Sequence, residues 1–232
     1  MEIQFNEREK VSFRSFLIFS LFLLIVLNTS FSLNSAYFRV NKVEVVGNNE
    51  LFNETQLIQT ALGQSIWLIN NDTFSDEILN IPTIKSFIIT KEYPNEITIE
   101  LTEYDKIMFI IDLRGSVPKK STLYKNMVEI ESDKILNVPS LTITNGPVPT
   151  GFNGEMVSLI MTLKSYDLDL NSFNFIYDGD SFVGEYRSTV IKFGEPVDLG
   201  SKSSALGWRL ENSECKGELS FINKEDIVAE CS

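Results

Sequence analysis

The sequence of 232 residues contains no histidine and only two cysteines. Without histidine, the chain cannot form a Ser-His-Asp or Cys-His catalytic pair, a histidine-ligated zinc or haem site, or an imidazole proton shuttle. Basic side chains are in the minority, since 20 Lys and Arg stand against 32 Asp and Glu, for a formal net charge of -12. Such a chain lacks the broad positive surface that drives nonspecific binding to nucleic acid or to anionic lipid head groups. The composition predicts no nucleic-acid partner and no cofactor, and it favours proteins as partners.

An uncharged, apolar segment lies close to the N-terminus, at residues 16–33. In a helix it is about 27 Å long, close to the hydrocarbon thickness of a bilayer. It is therefore predicted to be a transmembrane helix, preceded by a cytoplasmic tail at residues 1–15. A cleaved secretory signal peptide is the alternative, because the most apolar part ends at Leu27 and the small residues Ser30 and Ser32 suit a cleavage site.

The cations on either side of this segment predict its orientation. Arg8, Lys10 and Arg14 precede the segment, whereas Arg39 and Lys42 follow it. The side richer in Lys and Arg stays in the cytoplasm. We therefore expect a single-pass, type II membrane protein whose C-terminal domains lie outside the cytoplasm. The signal-peptide alternative exports the same part of the chain.

The exported part begins with a predicted strand and two short helices. The residues from Phe38 to Val46 are rich in β-branched side chains and predict a strand. A helix capped by Asn53 follows and ends at Gly63. A second helix is predicted to begin near Thr73, with Asp76 completing a capping box.

Two further strands complete this first unit. Residues 84–93 suit a strand, residues 94–95 make a turn, and residues 97–101 alternate between apolar and polar side chains. The order is strand, helix, helix, strand, strand. Two helices on one face of a three-stranded sheet would bury their apolar stripes, so residues 37–105 are predicted to form one α+β unit.

The rest of the chain, residues 106–232, is rich in predicted strands. The strands are predicted at residues 107–113, 140–144, 174–177, 188–193, 218–222 and 226–230. A helix is predicted at residues 155–165 and another at residues 201–210. This pattern is typical of a β-rich domain with one or two helices.

Acidic side chains form two clusters of a kind that can bind metal or act in catalysis. The run Asp178-Gly179-Asp180-Ser181 lacks the ligand spacing and the terminal glutamate of a calcium loop, so a hairpin turn is predicted there. Asp72, Asp76 and Glu77 lie at a predicted helix start, where carboxylates complement the helix dipole. The sequence therefore predicts no catalytic residue and no metal site.

The two cysteines, Cys215 and Cys231, bracket the last predicted hairpin. Both lie outside the cytoplasm in either interpretation of the N-terminal segment, where disulfides can persist. A disulfide that joins the two ends of the hairpin is therefore possible. Two buried or unpaired thiols fit the sequence equally well.

One late strand is a candidate partner-binding site. It consists of Glu218, Leu219, Ser220, Phe221 and Ile222, and only one hairpin arm follows it. Strands near the end of a chain often lie at a sheet edge, where unpaired amides and carbonyls can accept a strand from a partner. An ordinary core strand is the alternative interpretation.

Short motifs recur in a fixed order through the whole exported part. They are Phe38, Val40, Val43, Val45, Gly47-Asn48, Pro82, Ile84, Lys91, Pro94, Ile97, Ile99, Glu103, Ile111-Asp112, Gly115, Val138-Pro139-Ser140-Leu141, Val190 to Gly194, Lys202, Leu206 and Gly217 to Phe221. In this order, behind one N-terminal crossing, they resemble the bacterial cell-division family FtsQ/DivIB. The chain departs from the family after Glu103, where Tyr104-Asp105-Lys106 replaces an arginine followed by proline and alanine. We therefore expect the joint between the two external domains to differ from that of the family.

The resemblance implies a fold and a function. It implies a POTRA domain at residues 37–105 and the family's β domain at residues 106–232. It also implies a non-enzymatic scaffold at the division septum, which links FtsB/DivIC and FtsL-type proteins to the septal peptidoglycan synthases. In relatives, the final strand region of the β domain is where FtsB/DivIC binds, which favours the partner-binding interpretation of residues 218–222.

Two other functions remain open from the sequence. A POTRA unit also occurs in polypeptide transport and outer-membrane assembly proteins. If this chain is a module of that kind, its POTRA unit captures extended polypeptides. An exported hydrolase that uses carboxylates alone, such as a glycosidase, needs two acids converging in a cleft. The sequence does not show whether any two of its acids converge.

Overall fold

The computed structural model describes residues 7–47, 54–134, 136–212 and 216–231, with side chains from residue 13 onward. The chain separates into two compact units, residues 1–103 and 104–232. The first unit contains helices α1 to α3 and strands β1 to β3. The second contains strands β4 to β12 and helices α4 and α5.

Helix α1, Glu7–Asn34, contains the apolar segment. Its part Phe13–Asn34 is apolar and long enough to cross a membrane, with a mean hydropathy of 2.3, and none of it is buried by the rest of the protein. The Asn28 and Thr29 side chains donate to the backbone carbonyls of Leu24 and Ile25. Their polar groups are therefore satisfied within the helix, as an apolar environment requires. A signal sequence near the N-terminus can also be this long and apolar.

The remainder of the first unit is a three-stranded sheet with two helices. Its elements are β1 Lys42–Val46, α2 Glu54–Ala61, α3 Asp72–Leu79, β2 Ile84–Glu92 and β3 Glu96–Glu103. The sheet order is β1-β3-β2, with β1 parallel and β2 antiparallel to the central β3. The predicted α+β class and the order strand, helix, helix, strand, strand are confirmed.

The opening strand is shorter than predicted. Residues Ala36–Phe38 form a turn of 3-10 helix, and β1 begins only at Lys42. The amides of Val40 and Asn41 donate to the carbonyls of Gln64 and Asn95, which belong to loops. The β-branched composition did not show this, because the partners of those amides lie far away in the sequence.

The N-terminus of α3 is capped by a different residue pair than predicted. The Thr73 amide donates to Asn70 Oδ1, and the Asn70 amide donates to Thr73 Oγ1, at 3.1 Å each. This reciprocal pair replaces the predicted box of Thr73 with Asp76, because Asn70 is the better acceptor in the turn before the helix. The predicted cap of α2, Asn53, lies outside the described residues.

The core of the first unit lies between its helices and its sheet. Ile97 and Ile99 of β3 are fully buried, as their alternation with polar residues predicts. Leu57 of α2 and both Phe74 and Ile78 of α3 are buried against them. The two helices are also linked on their surface by a hydrogen bond from Thr60 to Glu77.

The second unit is built on one large sheet. The strands are β4 Lys106–Asp112, β5 Lys119–Tyr124, β6 Glu129–Glu131, β7 Ser140–Ile143, β8 Phe173–Tyr177, β9 Phe182–Tyr186, β10 Thr189–Gly194, β11 Gly217–Phe221 and β12 Ile227–Cys231. Their order is β12-β11-β10-β9-β8-β7-β4-β5-β6. Helices α4 Phe152–Leu163 and α5 Leu199–Asn212 pack on this sheet over a core rich in phenylalanine.

Three strands of this sheet were not predicted: β5, β6 and β9. Strand β5 begins with two lysines, and β6 is only three residues long. Strand β9 contains Gly184, which is depleted in most strands. Here glycine is needed, because a Cβ at Gly184 would lie 3.1 Å from the rings of Phe175 and Phe193.

Candidate functional site

The large sheet ends in two different edges. Strand β6 is three residues long and carries Glu129 and Glu131. A short, charged edge strand of this kind resists pairing with another chain. Strand β12 is five residues long, and among the described strands it pairs only with β11. The unprotected edge of this sheet is therefore β12.

The predicted partner-binding strand lies one position inside that edge. Residues 217–221 pair with β12, and residues 217–220 also pair in parallel with β10. The prediction that this strand forms the sheet edge is therefore wrong, because the last hairpin arm covers it. A partner strand cannot add to β11 while β12 is in place. Whether Glu218, Leu219, Ser220, Phe221 and Ile222 contact a partner through their side chains stays a prediction.

Most side chains of β11 make their contacts within the protein. Leu219 is fully buried, and the ring of Phe221 stacks on Phe193 at a centroid distance of 5.4 Å. Glu218 accepts from Lys192 Nζ at 2.7 Å, and it also accepts from the Ser220 hydroxyl. These two hydrogen bonds lower the pKa of the Glu218 carboxyl. Ile222 follows the strand and is exposed.

The free main-chain groups of β12 can be assigned from its pairing. The Ile222 amide donates to the Asp226 carbonyl, in register with the pairs Phe221 to Ile227 and Ser220 to Val228. Antiparallel residues alternate between bonding their neighbour and facing away. Val228 and Glu230 therefore bond β11, while the amides and carbonyls of Ile227 and Ala229 face outward.

A groove runs beside this free edge, between α5 and β12. Its volume is about 400 Å³. Its lining residues are Ala205, Trp208, Arg209, Glu225, Ile227 and Ala229. The Trp208 indole is exposed. An exposed tryptophan beside an unpaired strand is suited to hold an apolar side chain of an added strand.

A second cavity in this unit contains carboxylates, as a carboxylate-only hydrolase would require. It has a volume of about 460 Å³ and is lined by Asp112, Arg114 and Glu129 together with apolar residues. Arg114 Nη2 and Nε donate to the two oxygens of Asp112 at 2.6 and 2.9 Å. This hydrogen bonding lowers the pKa of Asp112 to about 2. A general acid needs a raised pKa, so Asp112 is unsuited to protonate a leaving group near neutral pH.

The predicted hairpin turn is present between β8 and β9. The Asp178 carboxylate accepts from the amides of Asp180 and Ser181 and from the Ser181 hydroxyl. These hydrogen bonds lower the pKa of the Asp178 carboxyl. The carboxylate therefore closes the turn, as aspartate commonly does.

Of the two cysteines, only Cys231 lies among the described residues. Cys231 lies opposite Gly217 in the last hairpin and is disulfide-bonded. Cys215 lies outside the described residues, so its pairing with Cys231 stays a prediction.

Comparisons with known proteins agree with this architecture. The sequence model of one protein family, the FtsQ-type POTRA domain, matches residues 38–104. The chain is 27% identical over 214 residues to the cell division protein DivIB of Clostridium tetani, covering 86% of this chain and 80% of the relative. It is 24% identical over 177 residues to DivIB of Clostridium acetobutylicum, covering 72% of this chain and 71% of the relative.

These matches span both units, and the fold follows the order that the resemblance implies. An apolar N-terminal helix precedes the POTRA domain, and a β-rich unit follows it. DivIB relatives are division proteins by name, which supports a division-related role and division proteins as partners. The chain is therefore similar to the FtsQ/DivIB family of bacterial cell-division proteins, through an FtsQ-type POTRA domain at residues 38–104 and a similarity to DivIB that extends into the second unit.

Proposed function

We propose that this protein is a non-enzymatic scaffold of the division machinery that binds its partner along β12. The partner is the external segment of an FtsB/DivIC-type protein, which adds one strand to the sheet. Through that contact the scaffold holds FtsL-type proteins and connects them to the septal peptidoglycan synthases. It is anchored by α1 as a single-pass, type II protein and acts at the division septum.

The observation that carries this proposal is the free edge of β12 beside Trp208. An edge of five residues without proline offers outward amides and carbonyls at residues 227 and 229. Main-chain bonds of this kind supply affinity, and pockets for alternate side chains supply specificity. The resemblance to FtsQ/DivIB also supports a contact with FtsB/DivIC in this final strand region.

The test separates strand addition from loss of the fold. Ala229→Pro removes an outward amide that β11 does not use, a position where an edge strand tolerates proline. Trp208→Ala removes the ring beside the edge and leaves the backbone unchanged. We expect each variant of the full-length protein in detergent to weaken binding of the partner's external segment by about tenfold or more in calorimetry. Circular dichroism and the melting temperature should stay close to those of the parent.

Two control variants complete this experiment. Lys164→Ala changes an exposed side chain at the end of α4 and should bind as the parent does. Val228→Pro removes an inward amide, so it should lower the melting temperature as well as binding. If Ala229→Pro and Trp208→Ala both fold and both bind with parental affinity, strand addition at β12 is excluded.

The transport interpretation also has one observation in its favour. Strand β2 is nine residues long and lies at the edge of the POTRA sheet, so it offers a second place for an extended polypeptide. Fluorescence microscopy of the tagged protein distinguishes the two functions. A septal band supports the division scaffold, whereas co-purification with an outer-membrane barrel protein supports the transport module.

A further inference from the structure

Five apolar side chains form a continuous surface at one end of the POTRA domain, which we name the aromatic rim. They are Tyr37, Phe38, Trp67, Leu68 and Tyr93. The rings of Phe38 and Trp67 lie 5.4 Å apart, those of Trp67 and Tyr93 4.8 Å, and those of Tyr37 and Phe38 5.1 Å. Tyr37, Trp67, Leu68 and Tyr93 are 64%, 44%, 64% and 55% exposed. An exposed cluster of this kind marks an interaction surface.

The fold holds the rim outward. In the loop between α2 and α3, Ile66 and Ile69 are fully buried, so the intervening Trp67 and Leu68 point away from the core. The Ile66 amide donates to the Phe38 carbonyl at 2.9 Å, which fixes the loop against the start of the domain. Tyr93 comes from a third segment, the turn between β2 and β3. Three distant segments therefore present their aromatic side chains together.

The rim lies where the chain leaves α1. Phe38 is the fourth residue after Asn34, at which α1 ends, and no charged residue occurs from residue 15 to residue 38. Four residues span at most about 14 Å, so Phe38 stays close to the end of the helix. The head-group region on each side of a bilayer is about 6 Å thick. Once α1 crosses a membrane, Phe38 and the rim to which it belongs are therefore within reach of the membrane surface.

The chemistry of the rim matches that surface. Tryptophan and tyrosine concentrate at membrane–water interfaces, because their rings are apolar and their NH and OH groups bond head groups and water. The charged residues next to the rim in the sequence are Arg39 and Glu92, which are both exposed, and nearby Lys42 pairs with Glu96 at 2.6 Å. Because charges of both signs flank the rim, it does not select anionic lipid and fits zwitterionic or neutral lipid.

We propose that the aromatic rim lies in the interface of the bilayer that α1 crosses, with Trp67 and Leu68 in contact with lipid. The POTRA domain is then held against the membrane at two places, the end of α1 and the loop between α2 and α3. This inference rests on the proposed role of α1 as a retained anchor. It assigns a lipid-binding function to residues of the folded domain itself.

The test uses the two tryptophans of the chain, Trp67 and Trp208. Trp208→Phe leaves Trp67 as the only indole, and Trp67→Phe leaves Trp208 as its matched control. Each full-length variant is reconstituted into phosphatidylcholine vesicles with ordinary or dibrominated acyl chains. Bromine quenches indoles that contact lipid, so we expect about a twofold loss of Trp67 emission in brominated vesicles, and almost no change for Trp208.

Flotation of the same vesicles distinguishes failure of the anchor from failure of the rim. A chain that does not float with the vesicles shows that α1 is not an anchor, which overturns the basis of this inference. A chain that floats, with Trp67 quenched no more than Trp208, overturns the rim alone. If that unquenched emission is also shifted to the blue, another protein surface covers the rim instead of lipid. Trp208→Tyr provides the same single-tryptophan chain if Trp208→Phe lowers the melting temperature.

Discussion

At the scale of single residues, hydrogen-bond partners decide what a charged side chain does. Asp112 illustrates this, since Arg114 donates two hydrogen bonds to it and a third to the Gly146 carbonyl at 3.0 Å. The Arg114 amide also donates to Asp112 Oδ1. The carboxylate therefore ties the end of β4 to the loop after β7, and it is a structural group.

The first prediction concerns the pH dependence of this pair. Because the pKa of Asp112 is about 2 when folded and 3.8 when unfolded, the pair stabilises the fold above pH 3.8. That contribution is lost as the pH falls from 3.8 through 2. The Asp112 and Arg114 side chains are 23% and 32% exposed, and the shift corresponds to about 2 kcal/mol of unfolding free energy. Asp112→Asn should therefore lower the stability of the full-length protein at pH 6 by about that amount.

Denaturant unfolding of parent and variant at several pH values checks this prediction. The difference in unfolding free energy should shrink steadily between pH 4 and pH 2. Asp133→Asn replaces an exposed carboxylate of the same unit and serves as the control. A difference that does not change with pH would show that the salt bridge is not its source.

A buried lysine gives a second example at this scale. Lys202 of α5 is buried, and its ammonium donates to the carbonyls of Phe193 and Glu195 at 2.7 and 2.9 Å. Burial lowers the pKa of this lysine. Its cation provides donors for two carbonyls at the end of β10 and just after it. The matching lysine in the family resemblance therefore has a structural role in this protein.

At the scale of elements, the packing of α5 depends on a glycine. Gly207 lies in the interior of α5, where glycine costs about 1 kcal/mol relative to alanine. A Cβ at this position would lie only 2.3 Å from Cδ2 of Tyr166. The Tyr166 hydroxyl donates to the Ser204 carbonyl at 3.0 Å, which holds the ring against the helix. The glycine is therefore a packing requirement between α5 and the segment after α4.

The second prediction follows from this contact. Gly207→Ala should destabilise the protein by about 1–3 kcal/mol, because overpacking against the ring outweighs the gain in helix propensity. In a Tyr166→Ala background the clash is gone, so the same substitution should be neutral or stabilising by up to about 1 kcal/mol. A double-mutant cycle from denaturant unfolding measures the coupling. Equal effects of Gly207→Ala in both backgrounds would contradict it.

At the scale of the whole molecule, the question is whether α1 remains attached. Its uncharged segment, residues 16–33, is longer than the apolar region of a typical signal peptide, which has about 7–15 residues. The uncharged part continues past Leu27 to the first residues of the folded domain. These features favour a retained anchor over a cleaved segment.

The third prediction is that residues 16–33 are present in the mature protein. Mass spectrometry of the protein purified from membranes should find peptides from this segment, and alkaline carbonate should not extract the protein. A Ser35→Ala variant, which changes a side chain beyond the segment, should behave as the parent does. A mature N-terminus located just after Ser30 would show instead that the segment is a signal peptide.

The local part of this fold was predictable from the sequence. In the POTRA domain, apolar residues repeat about every 3.6 residues in the helices and every 2 residues in β2 and β3. These spacings distinguish helices from strands, because each one places the apolar side chains on the face that is turned to the core. Helices α4 and α5 were found within a few residues of their ends for the same reason. The motifs that carry the family resemblance are likewise short and local.

Only the tertiary structure decided which strand is the edge. The composition of residues 218–222 does not show that β10 and β12 occupy both of its sides, because strand pairing joins residues that are distant in the chain. The same holds for the groove beside Trp208 and for the aromatic rim, which gathers Phe38, Trp67 and Tyr93 from three segments. Periodicity and caps depend on near neighbours and can be predicted from the sequence. Edges, grooves and surface clusters depend on which distant segments meet, which the folded chain alone establishes.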